Sequence, residues 1–318
     1  MTQTSLPRAR AAAHDRTDHR YAGRRAPEHT SGRARRRAER AASRGDGTRR
    51  AGPGAYAFLL VVLLASVFPL WWSFLIGSKD AAALNADGIP LLPGGNFLKN
   101  ARTVIDTVPF WKAFGNSVIV SSTVAFSVVA ISTLAGFAFA KLRFRGRDGL
   151  MVFVVATMAV PTQLGVVPLF IVMSKLGWVG SVGAVIVPAL VNAFGVFWMT
   201  QYLRESLPDE LVEAARVDGC SMIRTFWHVA LPASRPGAAM LALFTFIATW
   251  TNFFWPFIVL EPGNPTLPVA LQQLQAAHYV DYSLVLAGVV LAAIPLIIVF
   301  VLAGRQLVAG IMQGAVKG

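Results

Sequence analysis

The densest run of chemically capable side chains is "EAARVDGCSMIRTFWHVALP", residues 213–232, with Glu213, Asp218, His228 and Cys220. Catalysis by a nucleophile needs that group within reach of an oriented base. No such pair is found here or elsewhere in the chain, nor is a cluster of metal-ligating side chains. Cys220 is the single cysteine, which excludes an internal disulfide and any CxxC metal site. His228 and His278 have no chemical part assigned. The phosphate-cradling pattern GxxxxGKS/T is absent, as is the dipeptide Gly-Lys anywhere in the chain. No intrinsic catalysis and no cofactor are expected.

The same run suits binding better. "ESLPDELVEAARVDG" has a helix start and a helix stop. Ser206 is placed to cap, Pro208 suits the first turn, and Asp209 and Glu210 sit at the positive end of the dipole. Gly219 offers the left-handed ending. A second short helix is expected from Ser221, closed by Leu231-Pro232. Leu211, Ala214 and Ala215 fall near one side of the first helix; Ile223, Phe226 and Trp227 do so on the second. Two angled helices with a small-residue face fit a groove on another protein, with Glu213 and Asp218 as rim charges. An amphipathic connector lying on a membrane surface fits equally well.

The elements around this run are apolar. Of 318 residues, 55% are hydrophobic and 14% charged. Uncharged windows cover 51–78, 113–140, 150–174, 176–203, 236–260 and 282–304. Each reaches the ~20 residues a helix needs to cross the hydrocarbon layer, where backbone groups must pair internally. The expected fold is an all-α integral membrane protein with six transmembrane helices. The spans are placed near 55–76, 114–139, 150–173, 183–202, 238–260 and 283–303.

The net charge of +13 is concentrated in residues 1–54, which hold 14 arginines against 5 acids. That stretch has few large apolar residues and reads as a disordered, Arg-rich cytosolic tail, without the cleavage pattern of a secretory signal. Contact with anionic lipid headgroups suits it better than nucleic-acid binding. Lys and Arg also set the orientation. Arg40, Arg44, Arg49 and Arg50 precede the first span, and alternation places "KLRFRGRD" (141–148), residues 203–237 and the C-terminus on the same side. Those regions hold 10 basic residues and the opposite segments 5. Both termini are expected in the cytosol of a bacterial plasma membrane. On the outer side, residues 79–112 form a long connection, 174–182 a tight hairpin, and 261–281 a loop with a short helix.

The six windows contain no ionisable group, whereas ion-coupled carriers usually keep such groups within the membrane. Gly, Ser, Thr, Asn and Pro remain. Asn192, Thr249, Asn252 and Trp255 are the candidate contacts for a neutral polar solute, since a Trp ring stacks on a sugar face and Asn bonds hydroxyls. Helix–helix hydrogen bonding explains them as readily.

The run "EAARVDGCSMIRTFWHVALPASRPG" resembles the EAA loop of binding-protein-dependent ABC importer permeases. Glu213, Ala214, Ala215, Asp218, Gly219, Leu231, Pro232 and Pro236 match that pattern. "NSVIVSS" (116–122), "TMAVPTQLGVVPLFIVMSKLGWVGS" (157–181), "FIATWTNFFWPFIVL" (246–260) and "GAVKG" (314–318) are similar to the carbohydrate-uptake branch, in particular maltose-permease G-type subunits. The resemblance runs from about residue 55 to residue 318. It implies a type I ABC importer transmembrane domain, with a permease over 55–318, a core over 110–305 and a coupling loop over 206–236. It further implies that Glu213, Ala214, Ala215, Asp218 and Gly219 seat in an ATPase subunit, with Ile223, Leu231 and Pro232 on the supporting helix. Implied partners are a second permease subunit forming a hetero-dimer, two ATP-binding cassette ATPases and an extracytoplasmic solute-binding protein. Membrane lipid surrounds the bundle, and no nucleic acid is expected. Cys220 departs from the pattern, which usually has Ala there. The competing readings are a self-contained secondary carrier or channel, and a membrane-anchored nucleic-acid binder working through the tail.

Overall fold

The computed structural model describes residues 52–81, 92–275 and 280–315, with side chains to residue 304. The disordered-tail reading of 1–54 and His278 therefore lie outside the described residues, apart from 52–54. Two compact units divide the chain, 1–62 and 63–318; the described part of the first is almost wholly helical. Among the described residues every regular element is a helix. Five are long and apolar enough to cross a membrane, or six if one bent pair counts as a span.

Helix α1 (Pro53–Gly77) is exposed and apolar on nearly all sides until its last turns, where Leu75, Ile76 and Gly77 are buried. A Cβ on Gly77 would lie 2.8 Å from the Ala287 nitrogen, so only glycine permits that approach. Helix α2 (Phe97–Thr107) buries Asn100, Ala101 and Val104 on one stripe. Helix α3 (Phe110–Lys141) is the central post. It packs along α7 (Ala193–Ser206) through small residues: a Cβ on Gly136 would meet Met199 backbone at 2.8 Å, and one on Gly195 would meet Ser132 Oγ at 2.5 Å. Such close backbone approach drives helix association where burial from water cannot.

The third window departs from a straight span over 150–173. Helix α4 (Arg147–Met158) and the segment Thr162–Lys175, a 3₁₀ turn followed by α5 (Val166–Lys175), meet at 88°. Pro161 lies at the break and has no N–H to continue the ladder. The residue before it is also disfavoured in helical geometry.

Further on, Gly177 and Gly180 take left-handed φ values of 67° and 86° in the hairpin that leads to α6 (Gly183–Ala189). Helix α7 is followed by α8 (Asp209–Val217) and α9 (Met222–Thr225). A wide π turn (Phe226–Ala230) then joins α9 to α10 (Leu231–Trp250). After a break at 251–253 come α11 (Phe254–Val259), α12 (Leu267–Gln272) with a 3₁₀ turn to Gln275, and α13 (Tyr282–Ala315). The 261–275 stretch is thus loop and short helix, with no span in it.

Three apolar clusters stack along α3. One gathers Val104, Phe110, Trp250, Leu267 and Ala287. A middle one gathers Val124, Met173, Val185, Met199 and Leu241. The third joins Phe137, Leu203, Leu207, Val212, Phe226 and Ala230.

Candidate functional site

Helix α8 begins two residues later than its sequence suggests. Ser206 belongs to the last turn of α7, its hydroxyl is buried without a partner among the described residues, and Pro208 occupies the cap position. Ser206 therefore does not cap α8. Asp209 and Glu210 do fill the first turn, where negative charge faces the positive helix end. Asp209 also accepts a 2.7 Å hydrogen bond from Lys141 Nζ at the foot of α3. That bond and the lysine's charge hold the Asp209 carboxyl below the usual carboxylate range.

The stop is as the sequence indicates. Gly219 adopts φ 78°. Its amide donates to the Arg216 carbonyl at 3.0 Å, and the Cys220 amide donates to the Ala215 carbonyl at 2.9 Å. This pair of reversed bonds is the Schellman ending, which satisfies carbonyls the helix would otherwise leave open. Two residues on, Ser221 caps α9 by accepting from the Arg224 amide at 3.4 Å.

The second short helix is not closed at Leu231-Pro232. Helical backbone runs without interruption from Met222 to Trp250. Pro232 sits in the first turn of α10, immediately after the π turn. A proline cannot donate to the carbonyl four residues back, and a wide turn is one way a helix absorbs that gap. The short arm is therefore the base of the fifth span.

The faces of this segment also differ from the expected grouping. Val212 and Phe226 belong to the third apolar cluster, where Phe226 lies 5.6 Å from Phe137 between ring centroids, and Ala215 is buried as well. Leu211, Ala214, Ile223 and Trp227 instead face outward with Glu213. Val217 and Ile223 are 88% and 72% exposed. One stripe is thus anchored in the bundle and a second, apolar with an acidic edge, is open. Asp218 and Gly219 lie on the exposed tip. Leu231 is half-buried and Pro232 exposed at the base of α10. His228 bonds its own helix through Nδ1 and the Arg224 carbonyl.

The solute-contact candidates fall at two helix breaks. Asn192 caps α7, its Oδ1 accepting from the Gly195 amide at 2.6 Å. Trp255 donates through Nε1 to the Ala184 carbonyl at 3.0 Å, tying α11 to α6. Thr249 and Asn252 are half-buried, and their side chains make no hydrogen bond among the described residues. A cavity of about 750 Å³ lies beside them, lined by Trp250, Thr251, Phe253, Phe257, Gln272 and Gln275 together with α13. Sequence reasoning missed it; its only local signal was the polar break "TWTN" next to aromatic residues.

Among the described residues no group of three or more His, Cys, Asp or Glu could hold a metal ion.

Residues 130–312 match the family described as binding-protein-dependent transport system inner membrane component. The chain is 34% identical over 267 residues to the arabinooligosaccharides transport system permease protein AraQ of Halalkalibacterium halodurans, covering 83% of this chain and 94% of that one. It is 28% identical over 268 residues to the sn-glycerol-3-phosphate transport system permease protein UgpE of Salmonella typhi, covering 81% and 95%. The fold is shared with a chain from the crystal structure of a bacterial ABC transporter involved in import of the acidic polysaccharide alginate. There the TM-score is 0.67 at 23% identity, over 81% of this chain and 99% of that one. None of the three is described as a maltose permease, so the G-type likeness stays a resemblance. An all-helical bundle with several spans and this family match identify a multi-pass ABC importer permease, and the chain belongs to the binding-protein-dependent transport system inner membrane components.

Proposed function

We propose that this chain forms half of the translocation pathway of an ATP-driven sugar importer. A second, different permease subunit would supply the other half, and an extracytoplasmic binding protein would deliver the solute. Two ATP-binding cassette ATPases would supply the energy from the cytosolic side, where both termini also lie. Sugar is the favoured class because AraQ, a 34% identical relative, is named for arabinooligosaccharides. The name of UgpE keeps a glycerol phosphate as the nearest alternative solute.

One observation carries the coupling role. Segment 209–227 is pinned by Val212, Ala215 and Phe226 yet leaves Leu211, Glu213, Ala214, Ile223 and Trp227 open. A connector lying on lipid has no need of an acidic residue in its open stripe or of a rigid Schellman corner. A helix seated in a protein groove uses both. Glu213 through Gly219 form the seat, Ile223 extends it, and Leu231 with Pro232 join it to the span. In the pathway, Thr249 and Asn252 lead the candidates because their side chains make no hydrogen bond among the described residues. Asn192 and Trp255 follow, since each already holds a helix break together.

Replacing Glu213 with Lys tests the seat. Co-purification of the ATPase and sugar uptake should both fall at least tenfold, while the amount of permease in the membrane stays constant. Unchanged assembly and uptake would remove the coupling role. Uptake by the purified chain alone, without ATPase, would favour a self-contained carrier.

A further inference from the structure

The turn between α3 and α4 presents three arginines that the proposed function does not use. Arg143 and Arg145 are exposed and have no ion-pair partner among the described residues. Arg147 is half-buried and pairs with Asp148, Nε to Oδ1 at 3.1 Å. Together with Phe144, Gly146, Asp148 and Gly149, Arg143 and Arg147 line a cavity of about 350 Å³. Gly146 holds φ 84° at the helix start, and a Cβ on either Gly146 or Gly149 would meet nothing within 4 Å, so the approach is open. Two acids offset part of the charge: Asp148, and Asp209, whose field includes Arg143. With Lys141 counted, the surplus remains positive by two.

Directly beyond this basic turn the surface changes character. Helix α4 buries no residue, and Leu150, Val152, Phe153 and Val155 are all exposed. Phe144 is exposed within the turn itself and packs beside Phe139, 5.8 Å between ring centroids. At 1.5 Å per residue, twelve residues extend about 18 Å. That is close to half of a hydrocarbon layer of about 30 Å.

We propose that the α3–α4 turn binds an anionic phospholipid, its phosphate among Arg143, Arg145 and Arg147 and its acyl chains along α4. A soluble anion has no use for the apolar wall, and a protein partner is not needed to explain why cationic head and apolar wall adjoin in this order. Guanidinium groups suit phosphate because they offer paired donors in one plane.

The test uses the full chain purified with its partner subunits, stripped of lipid, with binding read by native mass spectrometry. Phosphatidylglycerol is compared with phosphatidylcholine of the same acyl chains, and with inorganic phosphate. The expected result is a preference for phosphatidylglycerol that falls about fivefold for each arginine changed to Gln, the scale of one basic residue at an anionic surface. Arg145→Gln alone alters an exposed side chain and guards against misfolding of the triple variant. Replacing Phe153 and Val152 with Ser should weaken both lipids while leaving the preference intact. The proposal is overturned if the wild type shows no preference, if the triple variant keeps it, or if millimolar inorganic phosphate displaces the lipid. None of these readouts depends on ATPase binding or uptake.

Discussion

The two ends of α3 are held by different means. At its first turns, hydrogen bonds cross between distant segments: Lys112 Nζ donates to the Gly263 carbonyl, and Asn116 Nδ2 reaches Asn264 Oδ1 and the Pro265 carbonyl. Asn264 in turn donates to the Gly180 carbonyl, and Ser117 Oγ accepts from the Leu267 amide. Nearby, Asn100 donates to the carbonyls of Gly77 and Lys79, closing the end of α1. At the last turn of α3, one Lys141–Asp209 pair and a small apolar cluster fix α8. The first end is a frame of polar ties. The second is a short arm on a greasy pivot with an open stripe, which suits the docking proposed for it.

If that contrast is right, damage at the pivot should disable coupling far more than damage to the frame disables folding. Phe226→Ala is expected to have the largest effect, removing a buried ring worth about 3–5 kcal/mol. Limited proteolysis between residues 207 and 221 should accelerate strongly, and ATPase association should fail. Asn100→Ala should cost less, about 1–3 kcal/mol for leaving two carbonyls without their donor. It should lower the thermal midpoint without increasing cleavage at 207–221. Gly219→Ala isolates the corner: a Cβ there meets nothing within 4 Å, but φ is 78°, so the penalty is the left-handed backbone alone, about 1–2 kcal/mol. Cleavage should rise modestly, and Gly219→Asn should restore most of the loss.

The ion pair should matter least. The Asp209 carboxyl is held low by its bond to Lys141. Its stabilisation is therefore complete above the unfolded carboxylate value of about 3.9 and vanishes as pH falls through the lower folded value. Lys141 is 5% exposed but Asp209 is 76% exposed, so solvent screens the pair. Cleavage at 207–221 should stay flat from neutral pH down to about 4 and rise only below it. Lys141→Gln should shift that flat region slightly upward.

Much of this architecture is legible in the residues. Uncharged windows marked the long apolar helices, apart from the bend in the third, because lipid tolerates little else, and Gly219 with Ser221 marked the corner because few residues suit those backbone positions. The failures share a cause. A proline signals a missing donor, and the same signal ended α4 at Pro161 but was absorbed by a π turn at Pro232. Leu211 and Val212 are both apolar, so periodicity could not tell which faced the bundle; the cluster with Phe137, far away in sequence, decides it. The cavity beside Trp250 depends on α12 and α13 meeting α10, and no local pattern encodes that meeting. The solute candidates were ambiguous for a related reason, since an Asn that caps a helix and one that awaits a hydroxyl look identical on paper.

The absence of a hinge after Ala230 has a mechanical corollary. From Met222 to Trp250 the backbone is one strut of 29 residues, about 44 Å at 1.5 Å per residue. A shove at its foot cannot be taken up by a slack loop. In the proposed coupling role it would pass along the strut to the tip beside Thr251, where the ladder finally breaks. The wide turn at Phe226–Ala230, near the foot, and Pro236 within α10 are the irregular points of that ladder.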